Sequence, residues 1–199
     1  TRDGSETTIN GSSDWVNEEE LGLSDAFRWS PDGLKIAYWQ FDTTGVGVYT
    51  LLDHGDPLYP RVKSFPYPKA GTSNSSIRIG VVSVQGGGTT WIALPGDPRN
   101  FYIPRMEWAD DGALVLERLN RLQNENKLLL ADLATGSVST LFHDESKTGV
   151  DINSEIRSID QGRAFLWESE KDGYRHIYRV PRKGGKEELL TRFSGDVIR

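Results

Sequence analysis

Two kinds of turn recur along the chain at the same spacing, and this repeat constrains the fold more than any other feature. A glycine turn between two apolar segments occurs at Gly87, Gly136 and Gly185, which follow one another at intervals of 49 residues. A second turn ends at Gly112 and again at Gly162, at an interval of 50 residues. Because two separate markers keep nearly the same period, the chain is predicted to consist of repeated units.

Each unit contains short apolar segments of strand length separated by turns, with no convincing amphipathic helix. Strands are predicted at residues 34–42, 77–84, 113–120, 127–133, 163–170 and 174–180. About four strands in each unit of roughly 40–50 residues are typical of β-propeller blades. The predicted fold class is therefore all-β, a β-propeller of four-stranded antiparallel blades. A jelly roll or a β-sandwich is the alternative, but neither explains the constant spacing.

One interval in the repeat is longer than the others, because Gly33 and Gly112 are 79 residues apart. The excess of 29 residues over a 50-residue period predicts an insertion at about residues 43–76. This segment contains Pro60 and Pro66, and proline cannot donate a hydrogen bond within a sheet. The insertion is therefore not expected to continue a central strand.

The number of units predicts an incomplete fold. Residues 1–199 are expected to form one domain, a partial propeller of about three to four blades. Open blade edges would expose unpaired backbone groups. We therefore expect either that the chain is part of a longer protein or that it assembles with a second copy as a homodimer.

Aromatic residues on the repeated strands are predicted to pack between units rather than to form a platform for a ligand. Tryptophan and tyrosine bury large areas, which favours an interior position in a fold of stacked sheets. The residues concerned are Trp29, Tyr38, Trp39, Trp108 and Trp167.

Composition excludes several kinds of partner and site. The formal net charge of −6 and the scattered Lys and Arg residues argue against nucleic acid, since phosphate binding needs concentrated basic residues. The chain has no cysteine, which excludes disulfides and thiolate metal sites. We predict no metal and no cofactor. No apolar run approaches the roughly 18 residues of a membrane span.

Three consecutive carboxylates, Glu18, Glu19 and Glu20, form the one concentration of like charge beside an ordered segment. Asp14 is placed to cap a short helix that would carry them, and acids suit the first turns of a helix. Composition alone favours a solvated helix face. Adjacent carboxylates can also bind a peptide α-amino group, which is mostly cationic at neutral pH because its pKa is about 7.7–8.0.

Several segments resemble the β-propeller domain of the dipeptidyl peptidase IV family, in the order in which that family carries them. They are Asp14–Glu20, Phe27–Gly33, Ile36–Asp42, Phe65–Gly71, Leu119–Asn124 and Asp172–Tyr178. The second segment alone is weak, because its Trp-Ser-Pro-Asp-Gly occurs in many propellers. The acidic segment combined with Pro-Tyr-Pro-Lys-Ala-Gly is far more specific. A bacterial member of the family is expected.

The resemblance implies what the acidic segment does. In that family the propeller caps an α/β-hydrolase domain, and a glutamate pair binds the free amino terminus of the peptide substrate. The pair falls on Glu19 and Glu20, while Asn17 departs from the aromatic residue often found before the acids. The predicted function is the substrate-binding and gating part of a serine exopeptidase that releases Xaa-Pro or Xaa-Ala dipeptides. The family also implies a periplasmic or extracellular location.

Catalytic groups are not evident in the sequence. No Gly-x-Ser-x-Gly motif occurs, so the serine nucleophile of an α/β-hydrolase has no candidate. His54, His143 and His176 are far apart and are predicted to be structural. Residues 1–199 alone are therefore expected to be inactive, and the hydrolase domain is expected elsewhere in the parent chain. A non-catalytic propeller for protein contacts and an inactive peptidase homologue remain as alternatives.

Overall fold

The structure, a computed structural model, describes residues 1–55 and 58–198. Its regular structure is almost entirely β, which confirms the predicted all-β class. The strands are β1 (Thr8–Asn10), β2 (Phe27–Trp29), β3 (Lys35–Asp42), β4 (Val48–Asp53), β5 (Arg61–Pro66), β6 (Ser76–Ser83), β7 (Thr90–Trp91), β8 (Phe101–Asp110), β9 (Ala113–Asn120), β10 (Glu125–Asp132), β11 (Val138–Glu145), β12 (Arg157–Ile159), β13 (Ala164–Ser169), β14 (His176–Pro181) and β15 (Glu188–Leu189). The helices are α1 (Trp15–Glu19) and a 3-10 turn (Asp160–Gly162). Among the described residues, neither helix has the length and hydropathy of a membrane span.

Three antiparallel sheets follow one another along the chain. Sheet 1 has the order β1-β3-β6-β7, and β2 also pairs with β3. Sheet 2 contains β8 to β11 and sheet 3 contains β12 to β15, each with consecutive strands side by side. In sheet 1, β1 and β2 share one edge position, because β1 pairs with the last residues of β3 and β2 with its first. Each sheet thus has four strand positions, as the repeat predicts.

The six strands predicted from the repeat are confirmed, with ends shifted by no more than two residues. The turns are confirmed less completely. Gly33 and Gly162 have positive φ angles of 71° and 81°, as tight turns require. Gly112 does not have a positive φ; instead, its N–H is bonded at 2.8 Å to Oδ1 of Asp110 beside a bulge in the β8–β9 pairing.

The segment predicted as an insertion contains a hairpin of its own. Strands β4 and β5 pair in register from Val48 opposite Pro66 to Asp53 opposite Arg61. Within the described ranges they form a separate two-stranded sheet. The loop between them includes residues 56 and 57, which lie outside the described residues.

Apolar side chains fill the spaces between successive sheets. Trp39 of β3 is fully buried, and its indole Nε1 donates a 2.8 Å hydrogen bond to the carbonyl oxygen of Ile103 in β8. Between sheets 2 and 3, the ring centroid of Phe142 lies 5.7 Å from that of Trp167. Since each sheet packs on the next, sheet 2 is covered on both faces.

The prediction that the repeat aromatics pack between units holds for Trp39, Trp108 and Trp167. Trp39 and Trp167 are buried in the apolar clusters between sheets, and Trp108 is half-buried against the cluster that contains Trp39. Tyr38 is buried as well, but its ring packs within sheet 1, with its centroid 5.8 Å from that of Trp91. The prediction is wrong for Trp29, which is 56% exposed. It lies on β2, an edge strand of sheet 1, and no further described sheet covers it there.

A buried carboxyl group lies inside sheet 2. Glu117 of β9 is fully buried, and its Oε1 accepts hydrogen bonds from Asn126 Nδ2 at 2.7 Å and from the N–H of Asn153 at 2.8 Å. Its Oε2 has no hydrogen-bond partner in the described residues. Burial therefore raises the pKa of Glu117 in spite of these hydrogen bonds.

We expect Glu117→Gln to stabilise the protein at pH 7 by about 1 kcal/mol or more, since it removes a buried charge and keeps an acceptor oxygen. A raised pKa in the folded state makes stability fall as pH rises above the unfolded value of about 4.3. The gain should therefore shrink toward pH 4. Unfolding curves of both proteins between pH 4 and 8 measure it. Glu117→Leu, which leaves the Asn126 and Asn153 donors unpaired, should destabilise; equal stability of the Gln variant and the native protein at pH 7 would contradict the argument.

Candidate functional site

The acidic helix α1 interrupts the edge of sheet 1. It lies between β1 and β2, and the two ends of this excursion are held by a bridge between Ser12 and Asp25. The helix therefore projects from the sheet edge on a short segment whose base is fixed.

Polar contacts at its first turn define how α1 begins. Asp14 is the N-cap, as predicted, and its Oδ1 accepts hydrogen bonds from the N–H of Asn17 at 3.0 Å and from Asn17 Nδ2 at 2.7 Å. Asn17 is buried. Asn17 replaces the aromatic residue often found here in the family. Its side-chain amide adds a second hydrogen bond to the N-cap carboxylate of Asp14.

The end of α1 is equally well determined. Glu20 is the C-cap, with its N–H bonded to the carbonyl of Val16. Gly22 follows with a φ of 67°, a conformation that commonly terminates helices. Leu21 and Leu23 on either side of this glycine are buried and anchor the segment to the body of the protein.

The three acids do not share one environment. Glu18, Glu19 and Glu20 are all exposed, but only Glu20 lines the cleft that opens beside the helix. Successive residues of a helix point about 100° apart, so neighbouring acids diverge. The assignment of substrate binding to Glu19 and Glu20 stays a prediction.

The cleft beside Glu20 has a volume of about 800 Å³ and aromatic walls. Trp15 of the helix and Tyr67 of the segment after β5 face each other with ring centroids 4.2 Å apart. Tyr102 of β8 closes another side, and its hydroxyl accepts a 2.8 Å hydrogen bond from Asn74. The sequence did not predict that these aromatic residues form one cleft, since they are far apart in the chain.

Basic groups also line this cleft. Lys69 and Arg121 both line it, and the guanidinium of Arg121 donates a hydrogen bond to the carbonyl of Thr72. A carboxylate on one side can accept hydrogen bonds from an ammonium group, while the basic groups can donate to carbonyl or carboxylate oxygens. The chemistry of the cleft thus suits a peptide end.

One arginine connects the acidic segment to the rest of the structure. Arg105 donates from Nη1 to the carbonyl of Leu21 at 2.7 Å and from Nε to the carbonyl of Ser154 at 2.8 Å. Leu21 also packs with Tyr102 and Leu119 in a small apolar cluster. The residue after Glu20 is therefore fixed to sheet 2 and to the segment that leads into sheet 3.

The one buried histidine has a structural environment. Nδ1 of His176 lies 2.8 Å from Oδ2 of Asp172, and Nε2 lies 3.0 Å from the carbonyl oxygen of Phe193. The hydrogen bond with Asp172 raises the pKa of His176. Since both ring nitrogens are bonded, neither is available to a nucleophile. Across residues 1–55 and 58–198, no three His, Asp or Glu side chains are close enough to hold a metal ion.

The sequence of the chain is similar to a known family along its whole length. Residues 1–199 match the family described as Dipeptidyl peptidase IV (DPP IV) N-terminal region. Inactive dipeptidyl peptidase 10 of Rattus norvegicus is 34% identical over 96% of this chain and 26% of its own length. Prolyl endopeptidase FAP of Homo sapiens is 33% identical over 90% of this chain and 26% of its own. The chain thus spans about a quarter of the length of these relatives.

A solved structure shares the fold. The crystal structure of Porphyromonas gingivalis dipeptidyl peptidase 4 superposes with a TM-score of 0.90 at 33% identity. The match covers 100% of this chain and 29% of the other.

Proposed function

The chain belongs to the dipeptidyl peptidase IV family, and from this premise we propose that it is the substrate-binding and gating part of a serine exopeptidase that releases N-terminal dipeptides. The observation that carries the proposal is the position of Glu20, an exposed carboxylate on a capped helix at the wall of an aromatic cleft. The dipeptides are of the Xaa-Pro or Xaa-Ala type, as the family implies.

The glutamates act by positioning the substrate. A cationic peptide amino terminus forms charge-assisted hydrogen bonds with Glu20 and with Glu19, which are stronger than neutral ones. With the amino terminus held at a fixed distance from a nucleophile, only the bond after the second residue reaches the reacting group. This fixed geometry lowers the barrier through orientation rather than through bond making.

The three sheets form part of a β-propeller that caps an α/β-hydrolase domain of the same parent chain. Four strand positions in each sheet, a period of about 50 residues and the stacking of each sheet on the next support this architecture. The nucleophile belongs to the hydrolase domain. The parent protein works in the periplasm or outside the cell, as expected for this family.

A second copy of the protein is proposed as a partner through the β4–β5 hairpin. Val48, Leu52 and Val62 share one face of the hairpin and are 58–67% exposed. Leu52 and Val62 are directly opposite each other and form an exposed apolar pair, and apolar patches on a surface can mark interaction sites.

We expect Leu52→Asp in the full-length protein to shift a dimer to a monomer, because a charge at the centre of an apolar contact must be desolvated. Sedimentation velocity measures the change. Leu34→Asp, at a residue 56% exposed outside the hairpin, is the matched control and should leave the dimer intact. A native protein that sediments as a monomer, or a dimer that tolerates Leu52→Asp, would contradict this role of the hairpin.

The activity itself is tested with the full-length protein and glycyl-prolyl-4-nitroanilide. Release of nitroaniline is expected, and it should disappear when the substrate amino group is acetylated, since the acetylated amide carries no positive charge. Equal cleavage of both substrates would contradict the proposed binding of the substrate amino terminus by Glu19 and Glu20, which we call the acidic clamp.

A second candidate function, that of an inactive homologue used for protein contacts, is favoured by one observation. A relative that is named inactive is 34% identical to this chain, which is as similar as the relatives named as peptidases. The residue at the nucleophile position of the parent sequence, which is the serine of Gly-x-Ser-x-Gly in an active hydrolase, distinguishes the peptidase from the inactive homologue. A serine there supports the peptidase, and any other residue supports the inactive homologue.

A further inference from the structure

A second cleft opens between sheets 2 and 3, away from the wall formed by Glu20. It lies where β11 and β13 end, and the segment 146–153 and the turn 170–175 form its sides. Its volume is about 280 Å³, or roughly nine times the 30 Å³ that one water molecule occupies in the liquid. One long side chain would fill such a space.

The cleft carries an excess of negative charge. Five acidic and two basic residues line it, and both basic residues are already paired. Lys171 binds Glu187, which lies outside the cleft, and Arg175 binds Asp151 and Glu170 at its rim. In the described part of the chain, neither basic residue of the cleft therefore forms an ion pair with Asp144 or Glu145.

Asp144 is the buried acid of this cleft. It is 8% exposed and lies on the same face of β11 as Phe142, whose ring is 6.0 Å from that of Tyr178 in sheet 3. The side chain of Asp144 therefore points between the two sheets. In the part of the chain that the structure describes, no hydrogen bond or ion pair to its carboxylate is present.

Asp144 also contributes to the environment of Tyr178. Burial raises the pKa of Tyr178 to about 12, with Asp172 and Asp144 adding to the effect as negative neighbours. A phenol near these acids resists ionisation because a further negative charge would be repelled.

We propose that this acidic cleft binds the cationic side chain of a lysine or arginine residue of a peptide. The carboxylate of Asp144 lines the cleft without a protein partner among the described residues, and a cation inserted beside it would form a charge-assisted hydrogen bond. Glu145, exposed at the mouth, adds a second acceptor for the same group. An organic cation suits the cleft better than a metal ion, since no three acidic side chains in the two described ranges converge as metal ligands.

The test uses the full-length protein and a fluorescent peptide with an acetylated amino terminus and a single central arginine. Acetylation removes the charge that Glu19 and Glu20 would bind, so binding at the acidic cleft is measured independently of the proposed function. A second peptide has neutral citrulline, an isostere of arginine, in the same place. Fluorescence anisotropy at low salt gives both dissociation constants.

The arginine peptide is expected to bind about tenfold or more tightly than the citrulline peptide, because a charged hydrogen bond is lost in the second. Asp144→Asn and Glu145→Gln should each abolish most of this preference; the exposed Glu145 gives a variant whose folding is not at risk. Glu155→Gln is the matched control, since it removes the same charge from an exposed residue that does not line the cleft.

Three results would overturn the proposal. The first is equal affinity for the two peptides, and the second is an effect of Glu155→Gln as large as that of Asp144→Asn. The third is displacement of the arginine peptide by micromolar calcium, which would identify the cleft as a metal site. None of these results bears on the clamp at Glu20, which is measured with a free amino terminus.

Discussion

Glu20→Gln in the full-length protein is expected to lower kcat/KM for dipeptide release from a free amino terminus by roughly 10- to 150-fold. The variant keeps the shape of the side chain and removes the negative charge that a substrate ammonium group would contact. A hydrogen bond to a charged group contributes about 1.5–3 kcal/mol, and each 1.36 kcal/mol corresponds to a factor of ten in rate. The measurement is the initial rate with glycyl-prolyl-4-nitroanilide over a range of substrate concentrations.

The matched control for this prediction is Glu18→Gln. It makes the same charge change on the same helix, at an exposed residue that does not line the cleft, and should leave kcat/KM within about twofold of the native value. Glu19→Gln measures whether the second acid of the pair contributes, since Glu19 is exposed but absent from the cleft wall. A Glu20→Gln protein with native kinetics would remove the acidic clamp from the mechanism.

Trp39→Ala is expected to destabilise the protein by about 3–5 kcal/mol, which is the usual cost of removing a buried aromatic side chain. Trp39 is fully buried between sheets 1 and 2, and its loss also leaves the carbonyl of Ile103 without its indole donor. Such a change lowers the unfolding temperature of the domain that contains Trp39. Thermal unfolding of the full-length protein measures it.

Trp39→Phe separates the two contributions. Phenylalanine keeps most of the apolar volume and loses only the hydrogen bond to Ile103, so its cost should be clearly smaller than that of alanine. An alanine variant that unfolds at the native temperature would show that the interface between sheets 1 and 2 does not limit stability.

Much of the fold could be predicted from the sequence because strands and tight turns are local. Alternating and continuous apolar segments between glycine turns located β3, β9 and β13 to within two residues. The cap of α1 is local as well, since Asp14 and Asn17 are three residues apart. Patterns of this kind depend only on neighbours in the chain.

Burial between sheets could not be predicted in the same way. Trp29 and Trp39 both lie on repeated strands, yet one is 56% exposed and the other is fully buried. The difference depends on which strand is at the edge of its sheet and which sheet lies next to it. Neither property is encoded within the few residues around each tryptophan.

In the candidate site, too, some features follow from the local sequence and others from tertiary packing. By itself, the sequence determined the repeat, the strands and the acidic helix with its cap, because these depend on side-chain chemistry at short separations along the chain. The tertiary structure decided that Glu20, and not Glu19, lines the aromatic cleft, that Tyr67 from beyond the hairpin faces Trp15, and that Asp144 is left without a partner between two sheets. These outcomes depend on how distant segments pack. Packing sets the distances between charged groups and excludes water from them, and both determine how strongly the charges interact.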